Sequence, residues 1–178
     1  MATNRAYNHR KILLFSSYSD ESDLNAVAKV ISRGNFWAVG PEIEEFERGM
    51  CDYTGRDFSV AFNSGGSALL SILHANDVNG GEVIVPSFTF VATVSSVIFA
   101  GAEPVFADIE RDTLALDAED VEKKINKNTR AIMPVHFAGA VARDINKLSK
   151  FSEELGIPLI EDNAHSIGAM YNGKMAGT

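Results

Sequence analysis

Ile157-Pro158-Leu159-Ile160-Glu161-Asp162-Asn163-Ala164-His165 is the stretch on which the reading of this chain turns. Its first four residues are uncharged and bounded by polar ones, the mark of a buried parallel strand. An acid two residues past such a strand, here Asp162, lies at the carboxyl edge of a sheet, where open α/β folds bind their ligands. With Ala164 two positions on and the imidazole of His165 three on, that carboxylate is suited to grip a protonated heteroaromatic ring. Asp162 has a second possible role as a turn cap, a task aspartate often performs.

Outward from this stretch, the flanking sequence supplies the rest of a sheet. Residues 58–62, 83–85, 104–107 and 131–135 read as earlier strands, and 157–160 as the fifth. Helices are predicted between them at 67–75, 90–99, 117–125 and 142–154. Such alternation implies α/β architecture: a three-layer sandwich around a mostly parallel sheet. Two further helices open the chain. One spans 20–32 with an apolar stripe at Leu24, Val27, Ala28 and Ile31, closed by Gly34. The other starts at Pro41, ends near Gly55, and is expected to bury Ile43, Phe46 and Met50. Tyr171-Asn172-Gly173-Lys174 carries the Asn-Gly signal of a tight hairpin. There is no internal repeat, low-complexity tract or linker.

Composition removes several classes of function. In the 178 residues, 16 Lys+Arg face 24 Asp+Glu, a net charge of -8. Nucleic acid and anionic membranes reward the opposite balance, so neither is an expected partner. The one cysteine, Cys51, excludes an internal disulfide and a multi-cysteine zinc site and reads as a small buried hydrophobe. The four histidines lack metal-ligand spacing, so no metal is expected. Between Glu82 and Glu103 no charge occurs, enough to raise a membrane span. Pro86, Ser87, Thr89, Thr93, Ser95 and Ser96 interrupt that run, which fits a strand, a turn and a buried helix instead. The apolar run 12–15 after Arg10-Lys11 is too short for a signal-peptide core. A cytoplasmic, reducing setting is the expectation.

The residues that follow the strands are Asn63-Ser64-Gly65-Gly66-Ser67, Ser87-Phe88-Thr89-Phe90, Asp108, His136 and Glu161-Asp162. Parallel strands deliver them to one edge, where they can converge on one crevice. Gly65-Gly66-Ser67 is a candidate anion cradle: the glycines admit a ligand to the backbone, and a helix start offers free N–H groups and a favourable dipole. No acid occurs from 58 to 76, and phosphate is the natural guest. The same residues also suit a plain turn with its N-cap, and no Gly-Lys-Ser/Thr follows to make a P-loop. Phe90 is either a stacking face or core, His136 either structural or a ligand contact, and Trp37 either a pocket wall or an interface anchor.

Taken together, these segments resemble the first part of a DegT/StrS-type sugar-nucleotide aminotransferase, a pyridoxal-phosphate (PLP) enzyme of the type I aspartate-aminotransferase fold. The resemblance runs from Phe36-Trp37-Ala38-Val39-Gly40-Pro41 to Gly177-Thr178. It is carried by Gly40-Pro41-Glu42-Ile43-Glu44-Glu45-Phe46-Glu47, Asn63-Ser64-Gly65-Gly66-Ser67-Ala68-Leu69 and the segment from Val83-Ile84-Val85-Pro86-Ser87-Phe88-Thr89-Phe90 to Thr93. Gly101-Ala102-Glu103-Pro104-Val105-Phe106-Ala107-Asp108-Ile109, Pro134-Val135-His136 and Glu161-Asp162-Asn163-Ala164-His165 complete it, in order and at the usual spacing.

The resemblance implies a helical N-terminal segment over 1–57. Residues 58–178 would then be the first part of a PLP-binding large domain whose remainder, with the small domain, is absent. Gly65, Gly66 and Ser67 would hold the cofactor phosphate, while Phe90 and Ala164 pack on the two faces of the pyridine ring. Asp162 would pair with the ring nitrogen and His165 with the phenolic oxygen. The family's Schiff-base lysine is expected beyond Thr178, so no catalytic residue is assigned in this chain. Lys174, at a hairpin tip, is poorly placed for that task. The implied activity is transfer of an amino group from an amino acid, glutamate being the expected donor, to a keto-sugar nucleotide. It would serve amino-sugar, surface-polysaccharide or antibiotic-sugar biosynthesis. A homodimer is implied, and a separate chain could supply the missing half of a truncated or split enzyme. Alone, the chain is expected to be inactive, with the strand at 58–62 short of neighbours. A pyridoxamine-phosphate-dependent sugar dehydrase, a non-catalytic PLP-binding remnant, and a module for another phosphorylated ligand are the alternatives.

Overall fold

The computed structural model describes residues 16–178; the 12–15 run and the residues before it lie outside that range. The described residues fall into two units that meet between Glu44 and Glu45, inside the second helix.

In the first unit, α1 (Glu21–Arg33) follows the predicted range 20–32 to within a residue. Asp20 is the N-cap, its carboxylate accepts the Ser22 N–H, and Asp23 bonds back to the cap to form a capping box. Gly34, at φ 76°, closes the helix in the left-handed conformation. Beyond it, Arg33 holds Glu42 at 2.7 Å and the Phe36 carbonyl at 2.9 Å. α2 (Pro41–Thr54) follows. The expectation that α2 buries Ile43, Phe46 and Met50 is not met: neither helix contains a fully buried residue, and Phe46 is exposed. The stripe of Leu24, Val27 and Ile31 on α1 is exposed as well. Periodicity fixed the helix and its apolar face, but a face becomes core only where another layer covers it.

The second unit is the α/β layer structure. β1 (Glu82–Pro86) lies centrally, parallel to β2 (Glu103–Ala107) on one side and β3 (Thr129–Ile132) on the other. Its side chains alternate between two cores. Val83 and Val85 pack with Leu73 of α3 (Gly65–Ala75) and Val97 of α4 (Val91–Phe99). Ile84 faces the other way, onto Ala118 and Val121 of α5 (Ala118–Lys124) and Leu148 of α6 (Ile145–Leu155). A strand covered on both faces has no polar side to show, which explains the unbroken apolar run. Each fully buried Val or Ile contributes about 1.5–3 kcal/mol by transfer from water.

The fifth strand is realised as a seam rather than a regular ladder. Ile132 pairs with Leu159 and Val135 with Asp162, both parallel. Four backbone bonds run along it: Ile132 N–H to Pro158, Ile160 N–H to Ile132, Asp162 N–H to Pro134, and His136 N–H to Asp162. Pro134 and Pro158 have no N–H to give, so the rungs those two groups would make are missing. The seam therefore carries the strand past Ile160 to Asp162, setting the carboxylate at the sheet's edge. At the chain's far end, β4 (Met170–Tyr171) and β5 (Lys174–Met175) form the predicted hairpin. Asn172 and Gly173 both take positive φ, 50° and 79°, as a type I′ turn requires.

One predicted strand does not form. Residues 58–62 are irregular, and Phe58 is 90% exposed. Strand structure is a pairing between chains of backbone groups, and no strand flanks this segment among the described residues.

Candidate functional site

The glycine pair sits where helix geometry leaves amides unused. Ser64, extended at φ −157° and ψ 153°, caps α3 by accepting the Ser67 N–H at 3.1 Å. The Ser64 hydroxyl also donates to that of Ser67 at 2.9 Å. Ahead of Ser67, the N–H groups of Gly65 and Gly66 have no acceptor among the described residues. A Cβ built on Gly65 would meet nothing within 4 Å, and one on Gly66 only the Ala92 methyl at 3.9 Å. The two amides thus open outward, unscreened by side chains. A shallow cavity of about 250 Å³ adjoins them, bordered by Ser67, Ala92 and Ser95.

Ala92 precedes the residue that ties this cradle to the carboxylate. Thr93, 1% exposed, donates its hydroxyl to Asp162 Oδ2 at 2.8 Å. Its single proton is then committed, so the Thr89 hydroxyl, 2.8 Å away, must donate to Thr93. Asp162 Oδ1 accepts the Ala164 N–H at 3.2 Å. Asp162 is 9% exposed, and among the described residues no cationic side chain pairs with its carboxylate. Burying an anion among neutral donors is costly without a counter-charge. A small cationic or protonated ligand beside Asp162 would supply one. The first turn of α4 therefore has the anion cradle against Ala92 and the buried acid against Thr93.

Of the other predicted contacts, Phe90 is 72% exposed at the N-cap of α4. Ala164 and His165 are exposed in the turn after Asp162. His165 Nδ1 accepts the Ala138 N–H at 3.2 Å. Its ring stands edge-on to Phe137 at 5.3 Å, and Phe137 tilts against Phe88 at 4.6 Å. These aromatic groups form a wall beside Asp162's turn.

His136 resolves to a strut. It is fully buried, with Nδ1 accepting the Ala142 N–H at 3.0 Å and Nε2 at 2.6 Å from Glu161 Oε2. The same Glu161 oxygen accepts the Gly177 N–H at 2.9 Å. Burial pushes the Glu161 carboxyl up, but the hydrogen bonds from His136 and Gly177 outweigh it and hold it below its ordinary value of 4.5. The backbone of Asp108 is tied to the start of α5: its N–H donates to Asp120 and its carbonyl accepts from Asp117. Trp37 is exposed within the first unit. No group of three or more His, Cys, Asp and Glu among the described residues is placed to hold a metal. Sequence reasoning passed over Thr93. A lone hydroxyl at the start of an apolar helix is the signal that could have marked it, since it must find a partner when buried.

A model of the DegT/DnrJ/EryC1/StrS aminotransferase family matches residues 17–178. The chain belongs to that family. Solved structures agree with this membership. 3-Amino-5-hydroxybenzoic acid synthase is 34% identical with a TM-score of 0.84, over 90% of this chain and 42% of that one. A sugar aminotransferase family protein of Streptococcus pneumoniae, solved in its PMP form, is 31% identical with a TM-score of 0.82, over 90% and 44%. A variant of GDP-4-keto-6-deoxymannose-3-dehydratase with bound GDP-perosamine is 27% identical with a TM-score of 0.81, over 92% and 44%. The chain thus spans less than half the length of each of these DegT/DnrJ/EryC1/StrS relatives, and its α/β layers match theirs. No described helix is long and apolar enough to cross a membrane.

Proposed function

We propose that this chain provides the first part of a PLP site serving amino transfer from an amino acid, glutamate being the expected donor, to a keto-sugar nucleotide. One observation carries the reading: a nearly buried carboxylate with only neutral partners, Asp162, shares the first turn of α4 with two open helix-terminal amides. That pairing fits a ligand with a cationic ring at one end and a phosphate at the other. The PMP form of the pneumococcal relative and the GDP-sugar held by the dehydratase support the choice of cofactor and substrate class.

On this reading the N–H groups of Gly65 and Gly66 and the Ser67 hydroxyl bind the phosphate. Phe90 and Ala164 flank the ring, Asp162 holds the proton at its nitrogen, and His165 bonds its phenolic oxygen. When bound, PLP supplies a protonated pyridine ring that withdraws electrons from the substrate carbon losing its proton. Thr93, itself held by Thr89, occupies Asp162 Oδ2, and Oδ1, which also accepts the Ala164 N–H, has a lone pair left for the ring. Phe88 and Phe137 form an aromatic wall on that side. The working enzyme would be a cytoplasmic homodimer that includes the part of the relatives' length this chain does not span. A sugar dehydrase using the same cofactor in its amine form is a second reading, supported by the similarity to the dehydratase.

The experiment combines binding with turnover. The 178-residue chain should bind pyridoxamine phosphate, and Asp162→Asn should weaken that binding by roughly tenfold or more, as loss of a buried charge pair does. With PLP, glutamate and a keto-sugar nucleotide, the chain alone should give no sustained product. Affinity indifferent to Asp162→Asn would sink the site, and steady turnover would sink the claim that the chain alone is inactive. For the enzyme with its remaining residues, amination against dehydration of the sugar separates the two chemistries.

A further inference from the structure

Ala138 adopts φ 53° and ψ 22°, in the left-handed region that L-alanine enters only at a cost. The neighbours explain what holds it there. Its N–H reaches His165 Nδ1 at 3.2 Å. Phe137, one residue earlier, presents its ring to the imidazole edge at 5.3 Å and 68°. Gly139, one residue later, has φ 87°, and a Cβ there would come within 3.3 Å of the His165 carbonyl oxygen. Phe137 and Ala138 therefore hold the imidazole, while Gly139 lets the turn pass close to the His165 backbone.

An amide N–H only donates, so the nitrogen it meets must offer a lone pair. A neutral imidazole whose Nδ1 is an acceptor carries its one proton on Nε2. We infer that the Phe137–Gly139 turn is a tautomer clamp, in which Ala138 is a positioning residue that makes His165 Nε2–H a hydrogen-bond donor aimed at the cofactor's phenolic oxygen. The identity of that recipient rests on the PLP reading above; the tautomer does not. The clamp gives the oxygen a donor of fixed direction, where a free imidazole could present either a donor or an acceptor. Glutamine has the same polarity, with an oxygen to accept from Ala138 and an amide to donate onward, and should replace His165 in this role. Leucine, of similar size, should not.

The test uses the whole chain labelled with ¹⁵N. A through-hydrogen-bond coupling should link the Ala138 amide nitrogen to His165 Nδ1, and the proton should be found on Nε2. Replacing Ala138 by lactic acid, which keeps the shape and deletes the N–H, should abolish the coupling and let both tautomers appear. Pyridoxamine phosphate affinity should fall in that ester variant by roughly threefold to tenfold, the worth of one hydrogen bond. His165→Gln should stay within about threefold of the parent, and His165→Leu should lose roughly tenfold. A protonated Nδ1, or no coupling in the parent chain while the cofactor binds, overturns the clamp and leaves the PLP reading standing. Coupling present with no cofactor binding overturns the assigned recipient together with that reading.

Discussion

Asp162 and Thr93 are 69 residues apart and meet through one 2.8 Å hydrogen bond inside the protein. Removing the donor while keeping the shape, Thr93→Val, strands a nearly buried carboxylate oxygen. The expected cost is about 1–3 kcal/mol, measured as a shift in urea midpoint, with Thr93→Ser close to the parent. An unchanged midpoint for Thr93→Val would show that Asp162 does not depend on it. Glu161 gives a prediction in pH. Its folded carboxyl is held below the ordinary 4.5 by His136 and Gly177 despite burial, so its contribution is complete above that ordinary value and fades as pH falls through the folded one. Acid titration of stability should show the loss at the low end, and Glu161→Gln should flatten that part of the curve. Asp162 was legible in the sequence because strand, acid and turn are contiguous. Thr93 was not, since nothing local announces a hydroxyl's partner so far along the chain.

Among the elements, β1 was the most readable, because a run buried on both faces is apolar at every position. Ile84 is fully buried, so Ile84→Ala should cost about 2–5 kcal/mol by calorimetry or denaturant unfolding. A cost below 1 kcal/mol would mean the α5 and α6 layer is not packed on it. The hairpin was legible from two residues. Gly173 sits at φ 79°, and Gly173→Ala should lose about 1–2 kcal/mol of local stability, visible as faster amide exchange across β4 and β5. The segment 58–62 was misread for a physical reason: its apolar residues mark strand propensity, whereas the strand itself needs neighbours on either side. The seam at 157–162 shows the opposite case, in which two prolines thin the ladder and the register still delivers Asp162 to the edge.

At the scale of the molecule, a good deal of apolar surface is open. Phe58, Val60, Phe62, Phe88, Phe90, Phe99 and Phe106 are all exposed, in a chain under half the length of its relatives. Exposed aromatic surface and unpaired sheet edges favour association. Light scattering should therefore detect concentration-dependent association, reduced in a Phe58→Ser, Phe62→Ser double variant. A scattering mass that stays monomeric at every concentration would count against it. The two-sided core was readable from sequence; which outer faces stay bare was not, because periodicity marks a face without naming its cover. The Gly177 amide, meanwhile, is fastened to Glu161, the residue next to Asp162. A purification tag or fluorophore fused after Thr178 would leave the protein only one residue from that fastening.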